Sequence, residues 1–403
     1  MNKRILFVDD EPMILQGIQH SLRGMRAEWE VQLAGSGAEA LETMAQAPFD
    51  VVITDMRMPG MDGAQLLDLV KTKFPRTVRI ILSGQSDRET ILRSVGASHQ
   101  YLSKPCDLDE LKQRLMRAFA LRDMLNDTHL KEVIGRLETV PSLPALYIAV
   151  TEALRSPETP ITKIGDLIAQ DMGMCAKVLQ LANSAFFGLS CHVSNPQQAV
   201  SLIGIENLKA LVLSVQVFSD LGGHLTQDLG FLWHHSMTTA SFAKAIARVE
   251  RSSGTVMDDA FTAGLLHDVG RLVLACAFGA EYQQVLKRTE EPGVLLAKCE
   301  GDAFGCTHNG VGAYLLGLWG LTDSIVEAVA WHHQPAQAEP ASFSALIAVH
   351  AADYYDNQLQ DHPRSDEPSA IDELLLTQLG LQQQVAPWEK ACREVASRSV
   401  ANA

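Results

Sequence analysis

Positive charge is what this 403-residue sequence is short of: 33 Lys and Arg face 48 Asp and Glu, a net charge of −15. Binding to a nucleic-acid backbone runs on a basic surplus, so nucleic acid is excluded as the main partner, local basic patches aside. No helix-turn-helix module is appended either, which argues against a transcription factor. Long apolar runs are missing as well. No stretch reaches about 18 uninterrupted apolar residues, so a membrane-spanning helix is not expected. The opening MNKRILFVDD turns acidic before the apolar core of a secretory leader could form. Paired cysteines are absent too. Cys106, Cys175, Cys191, Cys276, Cys299, Cys306 and Cys392 are odd in number and form no CxxC, the usage of reduced thiols in a cytoplasm. What remains, 47% apolar and 20% charged residues, is a globular composition long enough for two or three domains.

The first 121 residues alternate short β-branched runs with amphipathic stretches. KRILFVDD, VQLAG, DVVITD, VRIILSG and QYLSKP read as five strands with helices between them. Such alternation predicts a parallel sheet covered on both faces, with function at the carboxyl ends of the strands. Polar residues fall at those ends: Asp9 and Asp10 at the first strand, Asp55 at the third, Ser83 at the fourth and Lys104 at the fifth. Three carboxylates at one edge repel unless a cation neutralises them. Mg²⁺ suits the task because it accepts few carboxylates and keeps several waters. A carboxylate beside such an ion can attack a phosphoryl group and form an acyl phosphate.

On VDDE, ITDMRMPGMDG, ILSG and YLSKP, this segment resembles the receiver domain of two-component response regulators. The resemblance implies a flavodoxin-like, doubly wound α/β fold. It implies Asp55 as phosphoacceptor, and Asp9 and Asp10 as Mg²⁺ ligands together with Asp55 and the backbone carbonyl of Arg57. Ser83 is implied as the hydroxyl meeting the phosphoryl group, Lys104 as its charge partner, and Tyr101 as a switching aromatic. A sensor histidine kinase is the implied phosphoryl donor. Pro59 and Gly63 occupy the turn after Asp55, where the chain must kink.

Residues 122–140 continue a helical pattern whose heptad register slips near Asn126–His129. They read as a connector helix, either a plain linker or a signalling helix that helps form a homodimer; Pro141 and Pro144 are expected to stop it. From about 145 onward strand patterning disappears, and three-four periodicity predicts an all-α region of roughly ten helices. Seven of the thirteen histidines lie between 234 and 350.

VPSLPAL, DMGMCAKVLQLANSAFFG, AGLLHDVGRLVL, THNGVGAYLLGLWGL and AWHHQP resemble the HDOD domain, a helical relative of the HD phosphohydrolases, placed at 141–335. Met172 stands where the family usually has proline. A C-terminal helical extension, 336–403, follows, with 357–370 expected as a solvated loop and two closing helices after it. Most HDOD domains lack the full HD ligand set, yet this sequence keeps a candidate at every step: His235 (or its neighbour His234), His267, Asp268, His308, His332, His333 and Asp353. Such a set could hold a pair of Fe²⁺ or Mn²⁺ ions around an activated water. It could equally be a buried hydrogen-bond network, and His308 or His350 taken alone is more often a core imidazole. The Gly-Tyr-Pro motif of the hydrolytic relatives is replaced by QPAQAEPAS, their lysine after the HD pair by Arg271, and a glutamate before the first histidine by Phe231. Two functions follow from the resemblance. One is a phosphorelay response regulator signalling through a largely non-catalytic HDOD output to a protein or nucleotide partner. The other is a receiver-gated, metal-dependent phosphodiesterase acting on a cyclic dinucleotide. A soluble cytoplasmic protein that binds neither DNA nor membrane is expected in both cases.

Overall fold

A computed structural model of the chain describes residues 3–25, 27–83, 97–104, 108–124, 131, 134, 144–156, 159–183, 193–205, 208, 226–289, 291, 294–359 and 370–401. The N-terminal part is a five-stranded parallel sheet in the order β2-β1-β3-β4-β5. Its strands are β1 (Lys3–Val8), β2 (Trp29–Ala34), β3 (Val51–Asp55), β4 (Val78–Ser83) and β5 (Gln100–Ser103). Side chains alternate across a strand, so Ile5, Phe7, Val51 and Ile53 enter one apolar layer and Leu6, Val8 and Val52 the other. Burial on both faces explains why these strands read as continuous apolar runs. The helices α1 (Pro12–Ser21), α2 (Gly37–Gln46) and α3 (Gly63–Lys73) follow β1, β2 and β3. Strand order reverses between β1 and β3, and Asp9 and Asp55 stand at the carboxyl ends of these two strands. That crevice is where an open α/β sheet holds its ligand.

Helix α4 (Leu108–Met124) runs from the sheet domain against the second half of the chain. Most of the predicted connector, 122–140, lies outside the described residues. Pro144 opens α5 (Pro144–Arg155), as proline can because the first helical N–H needs no partner; whether the connector stops before it falls on residues outside those described. The helices α6 (Ile161–Ile168), α7 (Met172–Ala182) and α8 (Pro196–Ile203) follow. Asp171 caps α7 by accepting from the Met174 N–H at 2.8 Å, so Met172 disturbs nothing.

The rest of the bundle is built on α9 (Thr226–Val249), α10 (Gly254–Leu266), α11 (Val269–Phe278), α12 (Ala280–Arg288) and α13 (Leu296–Phe304). It is completed by α14 (His308–Leu318), α15 (Asp323–Trp331) and α16 (Ala345–Leu359). Helices α9, α10 and α16 pack on one another. Only His267 and Asp268 separate α10 from α11, and together Gly254–Phe278 is long and apolar enough to cross a membrane. Its apolar run is interrupted by Asp258, Asp259, His267, Asp268 and Arg271, and 78% of its most apolar window is buried inside the bundle.

Helices α11 and α14 cross closely. A Cβ added at Gly270 would collide with the His308 carbonyl, and one at Gly312 would lie 3.1 Å from Val269 Cγ1. The expected loop at 357–370 is also corrected at its start, because α16 continues to Leu359 with Asn357 buried. Positions 360–369 lie outside the described residues. The two closing helices are α17 (Glu373–Gln378) and α18 (Val385–Ala401), the latter packed on α9 and α16.

Candidate functional site

At the sheet crevice, Lys104 Nζ sits 2.8 Å from Asp9 Oδ2 and 2.6 Å from Asp55 Oδ1. Asp55 Oδ2 accepts from the Arg57 N–H at 3.1 Å, and Asp9 Oδ1 from the Glu11 N–H at 2.9 Å. Asp10 is exposed at the rim. Burial raises the Asp55 pKa; Lys104 offsets part of that and the Asp9 charge adds to it. Two carboxylates share one ammonium, with a third beside them, which leaves negative charge of the kind Mg²⁺ neutralises with few protein ligands. The donor set fits that ion. Gly63 has a steric reason to be glycine, since a Cβ there would run into the Asp55 carbonyl. Ser83 ends β4 as expected, but its side chain lies outside the described residues. Tyr101 is buried in β5, at the border with the helical bundle.

The second cluster lies in the bundle, and four of its five rings are held from behind. His235 Nδ1 is 2.6 Å from Asp356 Oδ2 and His308 Nδ1 is 2.7 Å from Glu300 Oε2. His267 Nδ1 donates to Gly264 O at 2.7 Å and His332 Nδ1 to Val329 O at 2.8 Å. A carbonyl oxygen only accepts, so Nδ1 carries the proton in these last two rings and Nε2 keeps its lone pair in the neutral form. The Nε2 atoms then face inward. His235 Nε2 lies 3.1 Å from His267 Nε2, and His308 Nε2 3.1 Å from His333 Nε2. Imidazoles anchored through one nitrogen and converging through the other are how proteins orient metal ligands.

Three ligand atoms inside the cluster lack a hydrogen-bond partner although buried: Asp268 Oδ1, Asp353 Oδ1 and His332 Nε2. They belong to three overlapping ligand groups: His235, His267 and Asp268; His308, His332 and His333; and His267, His332 and Asp353. Asp268 lies between the first two, 3.4 Å from His308 Nε2 and 4.0 Å from His235 Nε2. Asp268, Asp353, Asp356 and Glu300 bring four buried carboxylates against one guanidinium, that of Arg271. Burial by itself depresses the His235 pKa, but the Asp353 and Asp356 carboxylates reverse this and hold it near 10. His308 behaves alike, raised to about 9 by Glu300 against the effect of burial. Uncompensated buried charge is costly. Cations at the convergence point would remove that cost, and mixed imidazole and carboxylate donors suit Fe²⁺ or Mn²⁺. The residues fit a metal pair.

All seven preferred ligand candidates come together. His234 does not: it is exposed on α9, as is Phe231. His350 is a brace, its Nδ1 2.7 Å from His332 O and its Nε2 accepting from the Asp372 N–H at 3.0 Å. Arg271 Nη1 donates to Asp268 Oδ2 at 3.0 Å. Sequence reasoning missed Asp356, Glu300 and Gly270. Asp356 carried a usable signal, because it follows Asp353 by one helical turn. Glu300 carried none, since its partner His308 lies on another helix. It also accepts from Tyr282 at 2.9 Å, so a second ring of hydrogen bonds stands behind the first.

Comparison with known proteins follows the two halves. Residues 5–116 match the response regulator receiver domain and 140–335 match the HDOD domain. An uncharacterized protein of Treponema pallidum (strain Nichols) is 26% identical over 226 residues, 54% of this chain and 42% of that protein. The hydrogenase transcriptional regulatory protein HoxA of Cupriavidus necator is 26% identical over 239 residues, 55% of this chain and 48% of its own. The chain thus spans less than half the length of these curated relatives. Among solved structures, the receiver domain of an HD domain-containing protein from Pseudomonas fluorescens Pf-5 is 31% identical. The match covers 31% of this chain and all of that one, with a TM-score of 0.30. The MmoQ response regulator of Methylococcus capsulatus str. Bath is 23% identical, over 62% of this chain and 98% of that one, with a TM-score of 0.48.

Proposed function

Because the chain belongs to the response regulators in which a receiver domain precedes an HDOD domain, we propose that it accepts a phosphoryl group on Asp55 and answers through a metal-holding, non-hydrolytic HDOD domain. A receiver domain implies a phosphorelay with a sensor kinase. An Asp55 carboxylate oxygen attacks the phosphorus, the donor imidazole departs, and an acyl phosphate results. Bound Mg²⁺ supplies charge neutralisation at the phosphoryl oxygens. Lys104, already against Asp55, supplies the protein's share. Arg57 orients the nucleophile through its backbone N–H.

The metal-holding reading rests on the anchored imidazoles whose Nε2 atoms converge on Asp268 and Asp353. The absence of turnover rests on access and on charge. Among the described residues every cluster side chain is at most 4% exposed except His333, at 12%. Arg271, the guanidinium beside the HD pair among the described residues, is engaged by Asp268. The output is then a binding event with a protein or nucleotide partner, carried out by a cytoplasmic protein or its homodimer without DNA or membrane. A hydrolytic reading draws on one observation, the place of Asp268 between two ligand groups, as in two-metal hydrolases.

Elemental analysis of the full chain, loaded with Mn²⁺ and gel-filtered, tests the proposal. The wild type should retain metal that Asp268→Ala loses, and should leave a cyclic dinucleotide uncleaved. Metal-dependent cleavage abolished by Asp268→Ala would establish the hydrolase instead. Asp55→Asn should fold normally and lose labelling by a small phosphodonor in Mg²⁺.

A further inference from the structure

Two elements in series join the phosphoacceptor to the metal ligands. The first is β5. Lys104, directly after its last residue, is bound to Asp55, while Gln100 at its first residue donates from Nε2 to Gly317 O at 3.1 Å. The second is the α14–α15 hairpin. Its closed end, Gly317–Asp323, rests on the receiver. Arg117 Nη2 on α4 donates to Leu321 O at 2.5 Å, and Arg117 Nε pairs with Asp323 Oδ1 at 2.9 Å. Its open end carries three of the five clustered imidazoles, because α14 begins at His308 and α15 runs into His332 and His333. The 11 residues of α14 span about 16 Å.

The hairpin is packed as one unit. Its helices are buried against each other, and the Gly270–Gly312 crossing leaves no slack between α14 and α11. The receiver end, in contrast, is imperfectly closed. Gln100, Tyr101 and Arg114 of the receiver face Gln180, Trp319 and Gly320 across a small, partly open cleft. Gln100 Oε1 and Gln180 Oε1 are both buried without a hydrogen-bond partner. An unsatisfied buried acceptor is costly, so this contact is not at its tightest.

We propose that the α14–α15 hairpin couples the two sites: a phosphoryl group on Asp55 shifts β5 through Lys104, and the hairpin then repositions His308, His332 and His333, changing metal affinity. The inference rests on the metal-holding reading given above. Coupling of binding free energies is reciprocal, so metal in the bundle changes the receiver's affinity for a phosphoryl mimic by the same factor.

The test is Mn²⁺ titration of the full chain in excess Mg²⁺, with and without beryllofluoride as phosphoryl mimic. Asp268→Ala serves to identify the bundle sites. At least a fivefold change in Mn²⁺ dissociation constant is expected on adding the mimic. It should vanish in Gln100→Ala/Arg117→Met while both ligands still bind, and hydrogen exchange of 308–333 should respond to the mimic only in the wild type. A missing Asp268-dependent Mn²⁺ site would sink the metal reading and the coupling together. A site that binds Mn²⁺ but ignores the mimic, or a shift that survives the double substitution, would overturn the coupling alone.

Discussion

Lys177 shows what the domain contact does to a single residue. It is only 2% exposed, with its ammonium 5.4 Å from the Trp319 ring. Burial, with the nearby Lys71 charge, lowers its pKa from 10.5 to about 7. The folded pKa lies below the unfolded one, so between about pH 7 and pH 10.5 the unfolded chain binds more protons. Stability therefore rises with pH across that window. Denaturation midpoints from pH 7 to 10 should climb in the wild type, and Lys177→Met should flatten the climb. An unchanged slope in that variant would place the effect elsewhere. For the carboxylates of the histidine cluster, neighbouring charge and not burial sets the direction. Asp268 and Asp353 are held below the usual carboxylate range: burial works against this, but the surrounding imidazoles outweigh it, and for Asp268 Arg271 helps.

At the scale of elements, the α11–α14 crossing decides whether His308 reaches its partners. Gly270→Ala forces a methyl against the His308 carbonyl, and overpacking of this kind costs about 1–3 kcal/mol. The variant is expected to melt lower and to retain less Mn²⁺ than the wild type, measured together by calorimetry and elemental analysis. The position illustrates which parts of the molecule its sequence disclosed. The strands were legible because burial on both faces demands apolar runs, and Asp55 because strand ends in such sheets face the crevice. His267–Asp268 was legible because charge inside an apolar run needs a reason. Glu300, Asp356 and Gly270 were not, since their roles depend on which helices cross, and a crossing leaves no local periodicity.

In the whole molecule, the HDOD match ends at 335, but the site does not. Asp353 and Asp356 come from α16, which packs on α9, α10 and α15. A chain ending at 335 should therefore fail to retain Mn²⁺ and unfold at lower temperature, whereas full wild-type retention would remove α16 from the site. A last consequence concerns biosynthesis. As it leaves the ribosome, Gly254–Phe278 is a segment of membrane-spanning length with no bundle yet around it. The HD pair falls near its middle, where an aspartate costs about 2.5–3.5 kcal/mol of insertion free energy. His267 and Asp268 thus lower the tendency of the nascent segment to insert into a membrane. His267→Leu/Asp268→Leu should send newly made protein to membranes or inclusion bodies on fractionation, and recovery of the variant in the supernatant at wild-type yield would refute this.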